Sequence, residues 1–347
     1  MVAAAVAGLG SAFPGKVSQD QLWEDFFEQH HRGSRGAGLI WRRSGVRSRH
    51  GVAIPPGEDV SDWGTEARMR RFHRDARAMA REAVGACLSD ASLEPSQVGL
   101  LALVTCTGYT APGIDVQVAR DLGMGDDVHR LLVGHMGCHA AVPALATVAD
   151  ASSARGLVSV VACVELCSLH LQPPTTDLAQ VTANALFADA AAAAVVVPEG
   201  RGLGFLDVAS RTDPDLGFLM TWDLTDKGFR MGLSPELPGA LGGHVETVVG
   251  KLLAGHGLMP QDVAAWAVHP GGPRVLDVVA DRLRLSDDDL AESTEVLRDR
   301  GNCSSATVLL VLERIERARK LSDGDHVVCL TFGPGLTLSA ALLRKSR

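Results

Sequence analysis

Gly134-His135-Met136-Gly137-Cys138-His139-Ala140-Ala141-Val142-Pro143-Ala144-Leu145 crowds small residues around a lone thiol. Proline is comfortable only in the first turn of a helix, where its missing N–H costs little. Pro143 therefore predicts a strand-to-helix turn with the helix starting just after Cys138. That start brings free backbone N–H groups and the positive end of the helix dipole close to the sulfur. With an imidazole nearby, such a setting draws a thiol from about 8.5 into the range of roughly 3.5 to 7.5 and makes it a nucleophile. A buried structural cysteine is the alternative for an arbitrary thiol. Here the glycines and two downstream motifs, around His269 and Asn302, favour the nucleophile.

His269 closes an apolar strand and precedes Pro270-Gly271-Gly272-Pro273, a turn that stops the sheet and leaves the imidazole at the strand tip. Strand tips are where α/β proteins place their chemistry. A hydrogen-bonded core histidine is the competing reading. Asn302 follows Gly301 and precedes a Cys-Ser-Ser turn, so it is either an amide partner or a helix cap.

Outward from these motifs, Val-, Leu- and Ala-rich runs alternate with amphipathic stretches, the habit of a layered α/β protein with buried sheets. Strands are read at residues 99–105, 158–163, 190–197, 264–269 and 327–332, and helices at 21–30, 68–91, 114–122, 141–154, 241–256, 275–283 and 304–320. The glycine-rich stretch 199–211 divides the chain into halves 1–205 and 206–347. No internal repeat is legible.

The chain has 347 residues, 46% of them hydrophobic, enough for a large core in one big domain or two packed halves. A net charge of -8 gives no electrostatic support for nucleic-acid binding, although local arginines can hold a small anion. Seven cysteines without a repeating framework suit a reducing compartment. Residues 1–15 read as a first core strand and turn, with no basic residue ahead of the apolar stretch as a signal peptide would have. No apolar run approaches the roughly 20 residues of a membrane span. A cytoplasmic enzyme is expected. His135, Cys138 and His139 imitate metal-ligand spacing, but no second cluster completes a tetrahedral site. Cys163 and Cys167, four residues apart in an extended strand, stand about 13 Å apart, too far for one ion or a disulfide.

GHMGCHAAVPAL, AWAVHPGGPRVLD, DRGNCSSATVLLVLERI and TFGPGLT, in this order and spacing, resemble the type III polyketide synthases, the chalcone and stilbene synthase relatives within the thiolase superfamily. The likeness extends through CTGYTAPGIDVQVARDLGM, VVACVELCSLHL and ALFADAAAAAVVV, and is weaker before residue 95. It implies a homodimer of five-layered αβαβα subunits, each built from two similar halves, needing neither metal nor organic cofactor. Cys138 would carry an acyl starter taken from its CoA thioester. His269 would help generate the thiolate and, with Asn302, stabilise the enolate formed when malonyl-CoA loses CO₂, as an oxyanion hole does. Claisen condensation and cyclisation would follow.

The resemblance also implies a cavity. Phe187 matches one bulky gatekeeper, and Met231 falls at the second. Cys106, Cys167 and His170 stand where plant enzymes have threonines, and Ala111 where a methionine crosses to the partner subunit. Cys106 and Cys167 are read equally as small filler or as shapers of intermediates. Thr331 replaces the glycine that usually opens the C-terminal loop, while Phe332, Gly333 and Pro334 keep its turn chemistry. Arg42, Arg43, Arg47 and Arg49 are candidates for the CoA phosphates, with a solvated surface as the bland reading; Gly272 and Ser304 join that CoA-binding set. The expected product is a pyrone, resorcinol or related small aromatic. For the starter, VELCSLHLQP resembles bacterial tetrahydroxynaphthalene synthases, and CTGYTAPGIDV resembles enzymes accepting fatty acyl-CoAs. The alternatives are a single-condensation ketoacyl synthase or acyltransferase, and a non-catalytic acyl-CoA-binding protein of the thiolase fold.

Overall fold

The computed structural model describes residues 4–346. Its strands are β1 (Ala5–Ala12), β2 (Gly15–Ser18), β3 (Ser48–Gly51), β4 (Val98–Thr105), β5 (His129–Gly134), β6 (Val158–Leu166), β7 (Asp189–Val197), β8 (Gly202–Thr212), β9 (Met220–Thr225), β10 (Gly228–Leu233), β11 (Val263–Val268), β12 (His326–Gly333) and β13 (Thr337–Ser346). Its helices are α1 (Gln19–Leu22), α2 (Glu28–His30), α3 (Ala37–Arg42), α4 (Thr65–Asp90), α5 (Ile114–Leu122), α6 (Ala141–Arg155), α7 (Leu178–Leu186), α8 (Leu237–Ala254), α9 (Pro273–Leu283), α10 (Ala291–Arg300) and α11 (Ala306–Ala318). The first strand lies within the stretch expected for it; residues 1–3 of that stretch fall outside the described chain.

Nine strands form one mixed sheet in the order β11-β12-β13-β8-β1-β7-β6-β4-β5. Its middle is a narrow seam, since β1 and β8 pair only at Ala5 with Gly204 and Val6 with Leu203. Side chains alternate across each half of this sheet, as strand geometry requires. Ala102, Val104, Ala192 and Ala194 face a core that also holds α6, α11 and the inward face of β11 and β12, including Ala267 and Cys329. Leu101, Leu103, Ala191 and Ala193 face the opposite core, under α4 and α5. Trp266, Val328 and Leu330 face a third core, under α8 and α9. The layers therefore run helix, sheet, helix, sheet, helix, the five-layered αβαβα arrangement that the resemblance implies.

Small residues make the layers close. At Gly10 a Cβ would stand 2.4 Å from the backbone nitrogen of Cys87, so α4 lies directly on β1. The polar members of these cores are paired, as buried groups must be. Ser152 donates to Ser159 at 2.9 Å, and Asp189 accepts from Ser168 through both its backbone and its hydroxyl.

Where the reading of the sequence falls short, the cause is local. Helix α8 begins at Leu237 rather than 241 because Pro238 sits in its first turn. Helix α7 is hard to read because it has nine residues, too few to show a clear helical period; the cap is supplied by Asp177, whose side chain accepts from the Ala179 N–H at 2.9 Å.

Candidate active site

Cys138 occupies a short 3₁₀ turn, Gly137–His139, between β5 and α6, with Pro143 in the first turn of α6. Gly137 has φ +72, and a Cβ there would lie 2.4 Å from Pro334 Cδ, so only glycine lets the β12–β13 loop close over the thiol. The thiol is 5% exposed and donates to Ser304 Oγ at 3.5 Å. Burial pushes it up to about 12 in the unliganded chain.

That is opposite to the lowered value expected from the helix start. Among the described residues no hydrogen bond joins Cys138 to His269, so no imidazole offsets the cost of burying a thiolate.

 Burial raises the thiol more than the Ser304 hydroxyl and the backbone N–H lower it.

His269 follows β11 directly, 1% exposed, its backbone N–H held by Leu330 O at 2.8 Å. Its Nδ1 is buried without a hydrogen-bond partner, and burial lowers the imidazole to about 3, with His139 adding to the shift. It is therefore neutral at pH 7. Asn302 is 2% exposed. Its Oδ1 accepts from the Ser304 N–H at 2.9 Å, and its Nδ2 donates to Gly271 O, in the turn after His269, at 3.4 Å. The amide thus caps the approach to α11 and also ties the Asn302 turn to the His269 turn.

A small chamber opens beside the thiol, with Cys138, Cys106, Ser304 and Pro334 in its wall. A larger cavity adjoins it. Cys167, Phe187, Trp222 and Met231 line both. His269 and Asn302 are buried outside either lining.

The other expected site residues divide. His170 lines the larger cavity with both ring nitrogens engaged, Nε2 with Thr107 O at 2.7 Å and Nδ1 accepting from Phe229 N–H at 3.1 Å. Burial lowers it to about 3. Ala111 is exposed on a loop and lines neither cavity. Phe332 is packed in the core beneath α8 and α9, so only Pro334 of its loop reaches the chamber, while Gly333 lies against the His139 ring. Arg42, Arg43 and Arg47 are exposed and make no ion pair among the described residues. Two members of the expected CoA set are corrected. Ser304 Oγ lies between two thiols, 3.3 Å from Cys106 and 3.5 Å from Cys138. Arg49 is 6% exposed, and its guanidinium is spent on Gln19 and three backbone carbonyls. Gly272 is buried at the start of α9, against Leu186.

Two residues escaped the sequence reading. Glu165 is fully buried, accepting from Ser305 Oγ at 2.5 Å, Thr107 Oγ1 at 2.8 Å and Cys106 N–H at 3.0 Å. Burial raises its carboxyl. A lone acid inside the apolar run VVACVEL was its signal. Trp222 donates from Nε1 to Cys106 O at 2.7 Å and stacks on Phe229 at 5.6 Å; nothing in MTWDLT announced it. Among the described residues no cluster of side chains could hold a metal ion, and no helix is long and apolar enough to cross a membrane.

Residues 61–200 match the N-terminal domain of the chalcone and stilbene synthases, and residues 211–346 match the C-terminal domain. A 3,5-dihydroxyphenylacetyl-CoA synthase of Streptomyces toyocaensis is 34% identical, over 98% of this chain and 89% of its own. A 1,3,6,8-tetrahydroxynaphthalene synthase of Streptomyces peucetius subsp. caesius is 36% identical, over 87% of this chain and 81% of its own. The crystal structure of the 1,3,6,8-tetrahydroxynaphthalene synthase of Streptomyces coelicolor A3(2), a bacterial type III polyketide synthase, superposes with a TM-score of 0.93 at 25% identity, over 99% of each chain.

Proposed function

The chain belongs to the chalcone and stilbene synthase family and is a polyketide synthase, and from that premise we propose that Cys138 is its acyl carrier, served by His269 and Asn302. The observation that carries the proposal is a buried thiol opening on a small chamber whose far wall is shared with a larger cavity.

In the first step neutral His269 takes the Cys138 proton as the sulfur attacks the carbonyl of an acyl-CoA starter. The bond from that carbonyl to the CoA sulfur breaks, the proton passes to the departing thiolate, and Cys138 holds the acyl group. Malonyl-CoA then loses CO₂. The electron pair of the broken C–C bond becomes an enolate, stabilised by N–H donors of His269 and Asn302. The enolate carbon attacks the Cys138 thioester, forming the new C–C bond and freeing the thiolate, while the extended chain remains on CoA. Repetition and ring closure give a pyrone, resorcinol or related small aromatic. Every proton and charge is accounted for by substrates and side chains, so the proposal needs CoA thioesters and no further cofactor.

The same proposal assigns the exposed arginines Arg42, Arg43 and Arg47 to the CoA phosphates, for which planar guanidinium groups are suited. Phe187 and Met231 stand as the gate between CoA and chamber. Residues 1–205 contribute the thiol and residues 206–347 the two donors. A cytoplasmic homodimer completes the reading. Strand β5 ends the sheet with Leu131 and Leu132, 37% and 45% exposed, an apolar edge suited to a second copy.

The test is incubation with radiolabelled malonyl-CoA and a panel of acyl-CoAs, with intact mass measured after exposure to starter alone. Starter-dependent mass on Cys138 and products of repeated extension are expected. Products of a single extension, or dependence on an acyl carrier protein, overturn the polyketide reading. Unchanged CO₂ release and product in Cys138→Ala overturn the assignment of the thiol.

A further inference from the structure

The last turn of any helix leaves carbonyls without intrahelical donors. At the end of α7 all four from Asn184 to Phe187 are taken. Arg49 Nη1 donates to Asn184 O at 2.6 Å and to Phe187 O at 2.8 Å, and Nη2 donates to Ala185 O at 2.8 Å. The fourth, Leu186 O, accepts from the Asn302 N–H at 2.8 Å, while Asn302 O accepts from the Ala188 N–H at 2.9 Å. One guanidinium and one turn thus share a single helix end.

The guanidinium is itself fixed from behind. Its Nε donates to Gln19 Oε1 at 2.9 Å, Nη2 reaches the same oxygen, and the group lies 5.1 Å from the Trp41 ring. Gln19 also donates to Ala185 O at 3.0 Å and to Ser44 Oγ at 3.2 Å. Strand β3, which carries Arg49, is tied to the end of α10. Ser48 Oγ donates to Asp299 O at 2.9 Å, and Arg47 N–H to Arg298 O at 2.7 Å. The Asn302 turn closes on this point: Gly301 has φ +76, and a Cβ there would stand 3.0 Å from Leu186 O and 2.9 Å from Ala188 Cβ.

We propose that Arg49 is a positioning residue that sets the Phe187 gate and the Asn302 turn in register with each other, an inference that rests on the roles given to those two residues above. It lines the larger cavity and makes no hydrogen bond to the thiol. Cys138 sits on a different element, makes no hydrogen bond to Arg49, Gln19 or Asn302, and meets the Asn302 turn through the long 3.5 Å contact with Ser304 Oγ, so two steps are separable. Arg49 governs condensation and leaves acylation of Cys138 alone. Lysine keeps the charge but cannot donate to several fixed acceptors in one plane.

The test compares wild type with Arg49→Lys and Gln19→Leu. It measures Cys138 labelling by iodoacetamide, starter acylation by intact mass, and condensation from malonyl-CoA. Condensation in Arg49→Lys should fall about 10²-fold, the scale of a misplaced reacting group, with labelling and acylation within about threefold of wild type. Gln19→Leu should give the same split at a smaller size. It also decides the matter if Arg49→Lys fails to fold. Unchanged condensation, or an equal fall in all three readouts, overturns the inference. Failure of the underlying synthase reading is distinguishable, because wild type itself would then give no extended product.

Discussion

Replacing Trp222 by alanine should lengthen the acyl chain the enzyme accepts. The indole is half-buried and held on three sides, by the hydrogen bond to Cys106 O at 2.7 Å, by Phe229 stacked at 5.6 Å, and by His170 at 5.5 Å, edge on. It stands in the wall common to the chamber and the larger cavity. At protein packing density an indole fills the room of roughly four to six methylenes. Each methylene moved out of water contributes about 0.8 kcal/mol. A starter longer by about four methylenes should therefore gain about 3 kcal/mol, or roughly 200-fold in kcat/KM relative to the shortest starter. The truncation also loses packing, stacking and a hydrogen bond, together about 2 to 3 kcal/mol for a half-buried ring. For a chain of 347 residues, with an unfolding entropy near 0.7 kcal/mol/K, Tm should fall by about 3 to 4 °C. The assay is kcat/KM across a series of acyl-CoA starters, with products sized by mass spectrometry and Tm by calorimetry. An unchanged starter profile in a folded Trp222→Ala enzyme would refute the partition.

Asn302→Ala should lower condensation by about 10²- to 10³-fold while Cys138 still acylates, if the amide acts as an oxyanion donor; loss of acylation in a folded variant would contradict that role. If the proposed homodimer pairs through the β5 edge, Leu132→Lys should give a monomer in light scattering where the wild type is a dimer, whereas a persistent dimer would exclude that edge as the interface. Stability should fall as pH drops below about 6. Burial lowers His31 and His139 to about 4 and His170 and His269 to about 3, against an ordinary 6.5. The unfolded chain takes up these protons near 6.5 while the folded chain refuses them until about pH 4, so falling pH favours unfolding throughout that window. At about 1.4 kcal/mol per unit for each group, the four together cost about 5 kcal/mol per pH unit, or roughly 7 °C in Tm. A Tm that stays flat between pH 6 and 5 would count against it.

The parts of this protein that sequence made legible are those written in backbone constraints. Pro143 announced the start of α6, the Pro-Gly-Gly-Pro turn announced the end of the His269 strand, and alternating Ala and Val announced strands buried on both faces. What stayed hidden depends on partners remote in the chain. From sequence Arg49 reads as a candidate for the CoA phosphates or a solvated cation, because nothing local tells that residues 184–187 will surround it. Ser304 likewise gave no sign that two thiols from residues 106 and 138 would flank its hydroxyl. Trp222 became a wall only once β9 was laid across the cavity.

The narrow seam between β1 and β8 has a consequence for how such an enzyme changes over time. Two residue pairs fix little, so the relative pose of the half-sheets depends on the side chains of α6 and α11 packed between them. Adding or removing a methyl group at a position such as Ala149 or Ala306 would tilt one half against the other. Such drift could resize the reaction vessel without altering any residue that lines it, so comparing lining residues alone would miss part of what sets product size.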